Sequence, residues 1–124
     1  MLDLNEHAKS ICGTLLTDLK NVSQGDSSIK FFRKDLTRML IWLYVIDAFA
    51  KKKSINIEDI AREISLSTKI SKPSLRLILK NAKLKGFLKF THSITDTRSW
   101  IIEPEEISIS EFNSWTQYIK TPNK

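Results

Sequence analysis

The sequence predicts a mainly α-helical fold with one small β-hairpin, in the order helix, helix, short helix, helix, strand, strand, helix. Three observations predict it. Apolar residues recur at spacings of three and four along most of the chain, the period of an amphipathic helix. Helix-capping residues punctuate that period at Asn56 and Ser71, and Gly86 ends it. Beyond Gly86 the pattern changes to the short aromatic and β-branched runs F-L-K-F and R-S-W-I-I-E-P, separated by the polar stretch T-H-S-I-T-D-T. That is the composition of two strands and a long hairpin tip.

The first helix is expected over 2–22, with Ala8, Ile11, Cys12, Leu15, Leu16 and Leu19 as its apolar stripe. The loop N-V-S-Q-G-D-S-S follows. A second, longer helix is expected over 29–50. Leu36, Met39, Leu40, Leu43, Ile46, Asp47 and Ala50 lie on one side of it, and Phe32, Trp42, Tyr44, Val45 and Phe49 spread apolar character around the rest. A helix apolar on most sides must be covered on most sides. Lys51, Lys52 and Lys53 end it, cations at the negative end of the helix dipole.

Asn56 caps the third helix, whose first turn carries Glu58 and Asp59 and whose stripe is Ile57, Ile60, Ala61 and Ile64. Ser71 caps the fourth. Pro73 fits there because the amide it lacks has no helical partner in the first turn. Leu75, Ile78, Leu79 and Ala82 form the inner face of this helix, and Lys72, Arg76, Lys80 and Lys83 the outer one. Gly86 supplies the C-terminal break. Pro104 ends the second strand. A last helix is expected from Ser108 to Ile119, with Ser108 or Ser110 as its cap and Phe112, Trp115, Tyr118 and Ile119 at helical spacing.

A length of 124 residues suits one compact unit with its own core. We divide it into an N-terminal helix and loop (1–28), a central region (29–104) and a C-terminal helix (105–124). One cysteine, Cys12, excludes an internal disulfide, and its place on an apolar stripe makes it a buried filler by expectation. The N-terminus begins with acidic residues and lacks the pattern of a signal peptide. The longest apolar run, Met39 to Ile46, falls far short of the roughly 20 residues that cross a bilayer. The expectation is a soluble, cytoplasmic protein without a membrane partner. Two histidines and one cysteine make no plausible metal set, no glycine-rich phosphate loop exists among the three glycines, and no nucleophile–base pair assembles. No cofactor, metal or catalytic residue is expected.

Charge is where the sequence speaks about partners. The formal net charge is +6, and it is unevenly placed. From Ile64 to Thr95 there is no acidic residue, whereas Glu103, Glu105, Glu106 and Glu111 cluster later. The acid-free block contains the fourth helix and the first half of the hairpin. A short helix, a turn and a basic helix make a helix-turn-helix, and a trailing hairpin makes it winged. The major groove of DNA is wide enough to take a helix, and a hairpin tip beside it reaches the backbone or minor groove.

Over Ile55 to Pro104 the chain resembles the MarR-type (multiple antibiotic resistance regulator) winged helix-turn-helix family. The residues that carry the likeness are A-K-L-K-G-F-L from Ala82 to Leu88, D-T-R from Asp96 to Arg98, and S-W-I-I-E-P closing on Pro104. The family more often has Leu where Ala82 stands, and its chains usually run longer. The resemblance implies that Asp96 shapes the wing and Arg98 contacts DNA. It also implies a homodimer built from the terminal helices, which here points to Ile11, Leu15, Leu19, Phe112, Trp115, Tyr118 and Ile119. No small-molecule effector is implied by any residue that stands out.

The expected partner is double-stranded DNA, read in sequence-specific fashion by a homodimeric transcriptional regulator. The segment 71–85 would enter the major groove, and the wing, 87–103, would lie on the adjacent backbone or minor groove. Arg76 is the candidate base reader, because its fork matches guanine O6 and N7. Lys72 and Lys80 are candidate phosphate contacts, as are Ser71 and Ser74, and His92 joins Arg98 on the wing. Two alternatives share the fold: a plasmid, phage, replication or conjugation protein that binds DNA, and a scaffold that binds protein. Trp100 is expected to pack inward or at the wing base.

Overall fold

The computed structural model describes residues 2–22, 27–92 and 99–120, in which helices pack with a two-stranded hairpin. The helices are α1 (Glu6–Val22), α2 (Ser28–Phe32), α3 (Leu36–Ala50), α4 (Ile57–Ile64), α5 (Lys72–Leu84) and α6 (Glu106–Lys120), and the strands are β1 (Leu88–His92) and β2 (Trp100–Pro104).

The central region holds the first correction. The expected helix over 29–50 is two helices. Arg33 closes α2, and Asp35 opens α3 by accepting a hydrogen bond from the Arg38 amide at 2.8 Å. An N-cap at Asp35 restarts the chain in a new direction. α3 is also less widely covered than expected. Ile41, Trp42, Val45 and Ala48 are buried, while Leu36, Leu43, Asp47 and Ala50 are exposed. Trp42 stacks on Phe32 at 5.8 Å and meets Phe112 edge-on at 5.0 Å and Trp115 at 5.6 Å, which draws α2, α3 and α6 into one core.

Capping chemistry places α4 and α5 as expected. Asn56 and Asp59 form a reciprocal capping box, each side chain accepting from the other's amide, at 2.9 and 3.0 Å. The Ser71 hydroxyl accepts from the Ser74 amide at 3.2 Å, and Pro73 lies in the first turn. Ile60, Ile64, Leu75, Leu79 and Ala82 interlock as the shared core of the pair. Gly86 has φ +81° and ends α5 as the left-handed residue of a Schellman turn, with Gly86 N–H donating to Lys83 O and Phe87 N–H to Ala82 O. The same motif ends α3, but there Lys52 takes the left-handed position at φ 56°.

The hairpin is antiparallel, with Leu88 opposite Pro104 and His92 opposite Trp100. Thr91 and His92 belong to the strand rather than to the expected loop. Ile102 N–H donates to Ile55 O at 2.9 Å, so β2 is also tied to the segment entering α4.

The terminal helices bring further corrections. Asn5 caps α1, accepting from the Ala8 amide at 2.7 Å, so the helix starts later than expected. Its packing side is offset from the expected stripe. Thr14 is buried and Asp18 half-buried, while Leu16, Leu19 and Cys12 are exposed. Cys12 is therefore not a core filler. The Asp18 carboxylate accepts from Arg33 and from Trp115 Nε1 (2.8 Å for the latter), which ties α1 to α6 and to the α2–α3 break. Glu111 of α6 accepts from the backbone amide (2.9 Å) and the hydroxyl of buried Ser28 at the start of α2. Neither expected cap of α6 is one: the helix begins at Glu106, and Ser108 lies inside it, buried, donating to Phe87 O at 2.7 Å. No helix among the described residues is long and apolar enough to cross a membrane.

Candidate nucleic-acid interface

The inner stripe of α5 sets everything that its outer side can do. Once Leu75, Ile78, Leu79 and Ala82 are buried, a helix advancing about 100° per residue must turn Lys72, Pro73, Arg76, Leu77, Lys80, Lys83 and Leu84 away from the core. All of them are exposed. Arg76, Lys80 and Lys83 line one wall of an open groove of about 580 Å³. Asn56 and Glu58, at the start of α4, and Trp100, on β2, line the rest with other residues of the hairpin. The capping box of α4 reaches the hairpin as well, since Asn56 Nδ2 donates to Ser99 Oγ at 3.3 Å.

The expected contact residues fall into separate groups on inspection. Arg76 and Lys80 share the groove and have no acidic partner among the described residues. Lys72 is ion-paired with Glu58 of α4, both about half exposed (42% and 53%), so its charge is partly answered within the chain. Ser71 and Ser74 are exposed but engage each other, with Ser71 Oγ donating to Ser74 Oγ at 2.9 Å as well as capping. His92 is exposed at the end of β1, its ring stacked on Trp100 at 3.8 Å. Asp96 and Arg98 lie outside the described residues, and nothing here places them.

Trp100 corrects the expectation of a ring packed inward or at the wing base, since it lies opposite His92, at the end of the hairpin away from Leu88 and Pro104. It is 45% exposed and faces the groove. Lys83 sits over its ring at 5.7 Å and over Phe90 at 5.2 Å, a cation–π arrangement that holds the end of α5 against the hairpin. Strand alternation alone points the other way. Ile102 is buried, and Trp100, two residues earlier on the same side of the strand, lies beyond the edge of the core that covers it.

Of the residues expected at a dimer interface, Phe112 and Trp115 are half-buried within the chain itself, packed on Trp42. Ile11, Leu15 and Ile119 are half-buried, while Leu19 and Tyr118 are exposed, with Leu16 and Ile107 exposed as well.

No family model matches the sequence, and no curated protein matches it. Solved structures do match the fold. YusO from Bacillus subtilis superimposes with a TM-score of 0.55, covering 96% of this chain and 79% of its own at 11% identity. The S. aureus MepR G34K mutant gives 0.58, covering 94% and 78% at 14% identity. The transcriptional repressor CouR, solved on a 23-mer DNA duplex, gives 0.55, covering 98% and 81% at 15% identity. This is the MarR-type winged helix-turn-helix fold. In MarR-type terms α4 and α5 are the helix-turn-helix, the β1–β2 hairpin is the wing, and α1 and α6 are the terminal helices. The likeness lies in architecture, since so few residues are shared.

Proposed function

We propose that the chain binds double-stranded DNA in a sequence-specific manner, as a homodimeric transcriptional regulator. The observation that carries this reading is the outer side of α5. In a winged helix-turn-helix this is the side that meets the major groove, and here it presents Arg76 and Lys80 without acidic partners among the described residues, beside the base of the wing. CouR, which shares the fold, is a repressor solved on duplex DNA. Arg76 reads a guanine through paired hydrogen bonds. Lys80 holds a phosphate, and Lys72 does the same by exchanging Glu58 for the backbone. The wing lies along the adjacent backbone or minor groove, with His92 and Arg98 as its contacts.

The dimer is proposed to form through α1 and α6. Leu16, Leu19, Ile107 and Tyr118 leave apolar surface uncovered there, and burying such surface is the main drive for association. Two copies of α5 would then lie about one DNA turn, roughly 34 Å, apart. Selection from a random duplex pool tests both parts. The expected outcome is a palindromic site for the wild-type protein and loss of the preferred guanine for Arg76→Ala. Equal, weak binding of all duplexes by both proteins would overturn the reading. Sedimentation of Leu16→Asp/Leu19→Asp should show a folded monomer.

A further inference from the structure

One residue on the outer side of α5 does not belong to the cationic pattern. Leu77 is 59% exposed, although Arg76 precedes it and Lys80 follows one turn later. An isolated exposed leucine is ordinary on a protein surface. Its position makes this one different. Opposite the buried stripe of Leu75, Ile78, Leu79 and Ala82, the helical angle places Pro73, Leu77, Lys80 and Leu84 in line. Leu77 therefore stands at the crest of the helix, with Pro73 one turn before it. The crest is apolar at Pro73, Leu77 and Leu84, with Lys80 among them, and its groove-side flank, formed by Lys72, Arg76 and Lys83, is cationic. Leu84 stands about 10 Å further along, past the N-terminal part of such a helix that meets base edges.

A docked major groove offers an apolar crest one complementary group. Thymine is the base that carries a methyl there, at C5, while the other base edges present hydrogen-bonding atoms. The flanking cations are complementary to the phosphates on either side of that groove. We infer that Leu77, backed by Pro73, packs on a thymine methyl group and is a specificity-determining residue next to the guanine read by Arg76. The inference rests on the proposed binding of duplex DNA and adds to it the identity of a second base.

The test uses the full chain and the duplex enriched from a random pool, with each thymine replaced in turn by deoxyuridine. That change removes one methyl group and leaves all hydrogen-bonding atoms in place. At one thymine per half-site, the wild-type protein should bind the deoxyuridine duplex about fourfold more weakly. Leu77→Ala should bind both duplexes equally, with an unchanged melting temperature because the side chain supports nothing inside the fold. Leu84→Ala should keep the wild-type discrimination. Indifference of the wild-type protein to every replacement would overturn the assignment to Leu77 while leaving duplex binding intact, as would discrimination retained by Leu77→Ala. Failure to enrich any duplex would overturn both readings.

Discussion

The two helices of the helix-turn-helix are built alike and charged in opposite ways. Each has a capped start, a buried aliphatic stripe and an exposed outer side. Two of the acids of α4 are engaged close to home. Asp59 closes its own capping box and pairs with Arg62 at 3.3 Å, and Glu58 pairs with Lys72. Those two charges serve the fold. On α5, Arg76 and Lys80 have no acidic partner among the described residues, and neither contributes to the core. The difference teaches where to look for function in a small domain: charge that closes no internal bond is available to a partner.

Breaking α4 should cost folding, and breaking the outer side of α5 should cost recognition. The largest effect is expected for Ile60→Ala. Ile60 is fully buried, and emptying such a site costs about 2–5 kcal/mol, which should appear as a much lower midpoint in urea. Next comes Arg76→Ala. Loss of a paired guanine contact is worth about 1–3 kcal/mol of discrimination, measurable as a smaller affinity ratio between the selected site and its guanine variant, with the urea midpoint unchanged. Asn56→Ala removes one half of the capping box and should cost about 1 kcal/mol of stability with little change in base preference of the folded protein. The smallest effect sharpens the comparison at the one place where the two helices share charge. Glu58→Gln spares Lys72 the exchange of its partner, so affinity for duplex DNA should rise by up to about fivefold. The pair is surface-exposed and worth about 0–1 kcal/mol, so stability should hardly move.

The same two helices show why some of the fold is legible in sequence. Asn56, Ser71, Pro73 and Gly86 act locally, through bonds to residues a few positions away, and local chemistry is written in order along the chain. The strands after Gly86 are legible for the same reason. The region from Ile29 to Ala50 is not, because apolar residues on all sides erase the period that would have marked a break. Asp35 was the one available sign, an N-cap in mid-segment. Cys12, Trp100 and Ser108 depend on which surface meets which, and spacing does not encode that. Ser108 has the residue type of a cap, but its hydroxyl is taken by a carbonyl from a distant turn. In the candidate site, Arg76 and Lys80 stand out by charge. The pairing of Lys72 with Glu58 and the outward turn of Trp100 needed three dimensions. Leu77 could have been found from the helical angle alone, but a search for cations passes over it.

The carbonyl of Phe87 accepts two hydrogen bonds, from the Glu105 amide at 3.0 Å and from the Ser108 hydroxyl at 2.7 Å. It sits directly after the glycine that stops α5, and both of its donors sit at the start of α6. One oxygen atom is thus the pin between the end of α5 and the start of α6. α6 cannot pivot on its first turn without leaving that atom bare among buried neighbours, so the two parts must move together or come apart together. The Glu105 amide is a natural gauge of which occurs: its rate of exchange with deuterated water records how often the pin is drawn.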